Sequence, residues 1–160
     1  MARPAANPGL MPSVLDRLTD PESQGTSWQR GYSPQQMMEA VRRDLEDLFN
    51  THQADADVPE VYEEVRRSIA AFGLPDLPSI TARTGGRPEE IRRLIADVVA
   101  RFEPRLRDVR VVLSESESKD GRRVRFHIEA RLNVEPSPEV AFETVLELAT
   151  GQASIRSGGG

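Results

Sequence analysis

From Pro34 to Asn50 the apolar residues Met37, Met38, Val41, Leu45, Leu48 and Phe49 return to one side of a 3.6-residue period. Arg42, Arg43, Glu46 and Asp47 take the opposite side. Ser33 supplies an N-cap oxygen, and Pro34 fills a first helical position whose N–H is not needed. The pattern predicts a helix over 34–50. A shorter one precedes it, where Val14, Leu15 and Leu18 share a side before Pro21. Val61, Val65, Ile69 and Phe72 repeat at the same spacing up to Gly73, with Pro75 just beyond, and predict a third. The most regular pattern opens at Pro88 with Glu89 and Glu90. It continues through Ile91, Leu94, Ile95, Val98, Val99 and Phe102.

After Phe102 the period changes to two. Val109, Val111 and Leu113 alternate in a strand over 109–114, and Asp120-Gly121 offers a hairpin tip. Val124, Phe126, Ile128, Ala130, Leu132 and Val134 alternate with Arg123, Arg125, His127, Glu129, Arg131 and Asn133 in a long strand over 123–134. Val140, Phe142, Thr144, Leu146 and Leu148 alternate again over 140–148, and ASIR from Ala153 offers a last short strand. The fold class predicted is α+β, with N-terminal helices packed on a small C-terminal antiparallel β-sheet. Its arginine-rich outer face would meet solvent or a partner. The long strand and the terminal one would leave edges that a partner strand could extend.

Composition narrows the function. The chain has 160 residues and 38% apolar content, enough for one core. Residues 1–11 read as a disordered leader, 12–155 as the single domain and 156–160 as a flexible tail. The net charge of −5 argues against nucleic acid as the main partner. The absence of cysteine removes disulfides, thiolate metal sites and cysteine nucleophiles together. No apolar run is long enough to span a membrane.

Catalytic patterns are sparse. His52 sits in a polar stretch and His127 on the charged side of a strand, with no serine elbow near either. Neither has metal-ligand spacing with the scattered acids. A glycosidase would need two carboxylates about 5–9.5 Å apart, and Glu103 with Glu129 or Glu143 is the available choice. The turn Thr84-Gly85-Gly86-Arg87 could cradle an anion, but Glu89 and Glu90 already satisfy the helix dipole there.

The stretch FEPRL at 102–106 stands out. Pro104 biases Glu103 away from the α region and ends the helix. In the extended segment that follows, Glu103 and Arg105 project to one side. Two readings stay open. One is an exposed ion pair worth about 0–1 kcal/mol. The other is a rigid two-signed peg, with Arg105 ready for bidentate contact with a partner carboxylate or carbonyls.

Three segments carry a resemblance: PSVLDRL, AAFGLPDLPSI, and the FEPRL junction followed by RFHIEARLNVEPSPEVAFETVLELATG. From Pro12 to Ile155 the chain resembles the gene-25-like wedge proteins of contractile phage baseplates, which include the TssE subunits of bacterial type VI secretion systems. The resemblance implies a non-enzymatic structural subunit in the cytoplasm, in a baseplate docked at the inner membrane. It further implies wedge partners TssF and TssG, reached through Glu103, Pro104 and Arg105. A TssB-type sheath subunit would meet the C-terminal strands, where Arg123, Arg125 and Phe142 are expected contacts. No cofactor, metal, nucleic acid or membrane insertion is implied. The competing expectations are a lysozyme-like cell-wall glycosidase using acidic residues and a wedge subunit of another contractile injection particle.

Overall fold

The computed structural model describes residues 13–19, 32–53, 58–59, 61–76, 87–114, 123–135 and 137–158. The predicted turns at Asp120-Gly121 and Thr84-Gly85-Gly86, and the leader over 1–11, lie outside them.

Helix α1 (Val14–Thr19) is short, and α2 (Pro34–Asn50) begins where the sequence places it. The Ser33 hydroxyl accepts from the Gln36 N–H at 3.2 Å, and the Gln36 side chain accepts from the Ser33 N–H at 2.9 Å. This reciprocal cap satisfies two N–H groups that the first turn would leave open. Beyond it lie α3 (Glu63–Arg66), a 3₁₀ turn (Ile69–Ala71) and α4 (Pro88–Phe102). Strands β1 (Leu106–Leu113), β2 (Arg123–Leu132), β3 (Glu139–Glu147) and β4 (Ala153–Ser157) follow. They form one sheet in the order β1-β2-β3-β4, every pair antiparallel. The long strand β2 is therefore internal, and the edges belong to β1 and β4.

The α+β reading holds, with the core between the helices and the inner face of the sheet. Val41, Leu45, Leu48 and Phe49 of α2 and Ile91, Ile95, Val98 and Val99 of α4 are buried there. From the sheet come Phe126, Ile128, Leu132, Phe142, Leu146 and Ile155. Phe49 meets Phe126 at 6.2 Å between ring centroids in a tilted pair.

β1 starts earlier than its alternation suggests. Leu106 pairs Leu132 and Arg107 pairs Arg131, but Arg110 is the next residue in register, opposite Glu129. Asp108 and Val109 thus face Ala130 alone. Asp108 takes φ 55, a left-handed conformation that aspartate tolerates better than most residues. One inserted residue inverts the facing of a strand. That is how Leu106, at an even position, and Val111, at an odd one, both enter the core.

The helix predicted over 61–72 is the main departure. It breaks into α3 and the 3₁₀ turn at Ser68, whose hydroxyl donates to the Val65 carbonyl at 2.8 Å and accepts from the Ala70 N–H at 3.2 Å. Such local bonds compete with a continuing helix. Next, the Leu74 N–H donates to the Thr51 carbonyl and the Gln53 N–H to the Leu74 carbonyl, both at 2.9 Å. This clamps the segment against the end of α2. Gly73 makes the approach possible with φ 108. The expected apolar face is turned outward instead, with Val61 80% and Ile69 90% exposed. Phe72 alone turns in, edge-on to Phe102 at 5.4 Å.

Two substitutions should move stability in opposite directions. A Cβ on Gly73 would stand 2.3 Å from the Thr51 carbonyl oxygen. Gly73→Ala is expected to lower the unfolding free energy by more than about 1 kcal/mol. The Thr144 hydroxyl lies in the core without a hydrogen-bond partner. Thr144→Val is expected to raise it by about 1 kcal/mol. Urea denaturation of the two variants measures both.

Candidate functional site

The helix-to-strand corner is built by the residues that end α4. Glu103 sits at φ −118, ψ 77, outside the helical region, as a residue before proline should. Its N–H still donates to the Val99 carbonyl at 2.9 Å, and its own carbonyl accepts from the Leu106 N–H at 3.1 Å. Asn133, just past β2, closes the corner from the other side. Its N–H donates to the Arg105 carbonyl at 2.7 Å, and its side-chain amide reaches the Pro104 carbonyl at 3.4 Å.

Within this frame Glu103 is 3% exposed. A carboxylate that deep is costly unless it is paired and fully bonded. Arg105 folds back to do both. Its Nε donates to Oε1 at 2.7 Å and its Nη2 to Oε2 at 2.5 Å, while its backbone N–H adds a third bond to Oε1 at 3.2 Å. Nη2 also donates to Asp44 on α2, so the guanidinium joins helix and corner. Burial by itself would lower the Arg105 pKa. Glu103 and Asp44 outweigh it and hold the group above the ordinary arginine value.

The same-side geometry of Glu103 and Arg105 is therefore real, but the pair points inward. Neither the exposed ion pair nor the projecting charged peg describes it. Both carboxylate oxygens are already engaged, and about a quarter of Arg105 remains exposed. Of the three residues only Pro104 stands fully at the surface. Beside it, Leu48, Phe72, Phe102, Asp44 and Asp47 line a shallow open depression. Asp44 and Asn133 were not singled out by sequence reasoning. No local pattern links Asp44 to a residue sixty-one positions away.

The other expected contacts divide. Arg123 and Arg125 lie exposed on the outer face of the sheet. Arg123 approaches Glu147 at 3.7 Å, whereas Arg125 stands opposite Val145 and makes no ion pair among the described residues. Phe142 is corrected outright. It is 0% exposed, facing the core from a strand flanked on both sides, so its side chain offers no surface to a partner.

Glu129 and Glu143 share the outer face with His127, across the sheet from the helix layer that holds Glu103. The structure does not bring the proposed acid pair together. His52 packs beside the Gly151 turn, away from both. Among the described residues no group of three His, Asp or Glu could hold a metal, and no helix is long and apolar enough to cross a membrane. What the corner can do chemically is fasten elements together.

Residues 35–137 match the family model described as Baseplate wedge protein gp25. The chain belongs to this family. The match includes α2, α4, the whole corner and the outward apolar segment at 61–69. It makes the chain a baseplate wedge subunit of a contractile injection system. No curated protein and no solved structure matches it.

For this wedge subunit, Arg105→Ala is expected to lower the unfolding free energy by about 3 kcal/mol, because it strands a buried carboxylate. Replacing both partners, Glu103→Leu with Arg105→Met, should restore most of that loss. Thermal and urea unfolding of the single and double variants measure the recovery.

Proposed function

We propose that this wedge subunit is of the TssE type and joins the TssF and TssG wedge core of a type VI secretion baseplate to the contractile sheath. The observation that carries this reading is the family match over residues 35–137, which takes in the Glu103-Pro104-Arg105 corner. The corner supports the proposal in a modified form. Glu103 and Arg105 shape and stiffen it from inside, and Pro104 is the part a wedge subunit would touch.

The segment from Val61 to Ile69 extends this surface. Val61, Tyr62, Val65 and Ile69 are all exposed, and a cluster of large apolar side chains in water marks an interaction site more often than a scattered few do. Phe72, at the end of the segment, lines the depression beside Pro104. Corner and segment thus form neighbouring parts of one candidate wedge contact. The sheath subunit would meet the sheet, with Arg123 and Arg125 displayed on its outer face. Such a protein works in the cytoplasm, in a complex docked at the inner membrane, and acts by binding rather than by catalysis.

Co-purification with TssF and TssG tests the reading. The wild-type chain is expected to be retained. Ile69→Ser combined with Val61→Ser should reduce retention at least tenfold while leaving the melting temperature unchanged or slightly raised. Retention unaffected by the double change would exclude this surface. Failure of the wild-type chain to bind either subunit would exclude the type VI assignment.

A further inference from the structure

The two edges of the sheet are not equivalent. On β4, the bonds from Gly158 N–H to the Ala141 carbonyl and from Glu147 N–H to the Gln152 carbonyl, both 2.8 Å, fix which residues face β3. By alternation Ser154 and Arg156 bond β3, while Ala153 and Ile155 direct their backbone groups to the free edge. Those groups are occupied. The Ala153 N–H donates to Asn50 Oδ1 at 2.9 Å, and Asn50 Nδ2 donates to the Ala153 carbonyl at 3.0 Å. One residue pair further on, the Ile155 N–H donates to Glu46 Oε1 at 3.5 Å, and Arg42 Nη1 donates to the Ile155 carbonyl at 3.3 Å. Arg42 and Glu46 also hold each other at 2.7 Å. Three side chains of α2 therefore stand in for a fifth strand.

Among the described residues nothing comparable covers β1. The Ser114 N–H donates to the Arg125 carbonyl at 2.9 Å, which sets the alternation on this side. Arg110 and Val112 bond β2, and Val111 and Leu113 direct their backbone groups away from it. Those outward groups have no hydrogen-bond partner among the described residues.

Resting on the sheath reading above, we infer that the sheath strand joins this sheet at β1, and that Arg42, Glu46 and Asn50 close β4 against it. Strand addition needs a row of unbonded N–H and C=O groups, and among the described residues β1 supplies one where β4 does not. The chemistry of the incoming strand follows from its neighbours on the outer face. Arg110 makes no ion pair among the described residues and Val112 is exposed, so an acidic and an apolar residue two apart would lie beside them. The intervening residues would be apolar and point toward the helix layer.

Residue-resolved amide hydrogen exchange tests this in two arms. In the free chain, Asn50→Ala should speed exchange at Ala153 at least tenfold, and Glu46→Ala should do so at Ile155. Unchanged rates at both amides would overturn the closure of β4, whether or not any sheath subunit binds. In the second arm the purified TssB-type sheath subunit is added to the wild-type chain. Protection gained at Val111 and Leu113, with Ala153 and Ile155 unchanged, supports the inference. Binding that instead frees Asn50 from Ala153, or that protects neither edge, overturns it. Absence of binding, alongside the expected free-chain rates, removes the sheath reading and with it the assignment of β1, while the closed β4 stands.

Discussion

A carboxylate cannot sit unpaired beneath a protein surface, and the position of Glu103 makes that constraint govern the whole corner. Pro104 stops α4 and sends Glu103 inward. Once there, the charge requires a cation within bonding distance, and the chain must turn so that Arg105, two residues on, reaches back. The turn sets the direction in which β1 leaves. Asn133 then binds the outer carbonyls of the corner and holds the end of β2 against it. Asp44 takes the remaining side of the guanidinium and draws in α2. Three elements distant in sequence are positioned by one buried charge pair. Its net contribution to stability is small, but its geometry is exacting.

The elements legible in the sequence are those whose side chains face the core without interruption. In α2, α4, β2 and β3, apolar residues recur at the period of the element, and burial follows that period position by position. Two features were hidden. The bulge at Asp108 moves the start of β1, because a single extra residue changes the facing rule midway through a strand. The spacing of Val61, Val65 and Ile69 satisfies a buried helix, but periodicity records that residues share a face and not where that face points. The backbone clamp around Gly73 and Thr51 decides the direction. Phe142 shows the converse: its place in the alternating apolar set of β3 already puts it on the buried side, and the contact expected of it came from the resemblance and not from that pattern.

The polar side of α2 teaches a related lesson about the candidate site. Arg42 and Glu46 read as part of an ordinary solvated stripe, since charged residues opposite an apolar face need no further explanation, and Asp44 and Asn50 drew no reading of their own. In the fold each has a tertiary task. Asp44 holds the corner, and the other three hold the last strand. Their partners lie far along the chain, and most are backbone groups, which leave no trace in residue identity. A sequence reports which side chains could make such bonds, never which backbone atoms lack one. The FEPRL motif announced an unusual corner in the sequence, whereas its inward orientation depended on that missing knowledge.

The closed edge of β4 has a consequence for assembly order. A sheet that can be extended at both sides has no preferred sense, and copies of it can join into unbounded ribbons. With α2 lying along one side, growth from this sheet has a polarity, beyond β1 and not beyond β4. Such a subunit can start a polymer without becoming one.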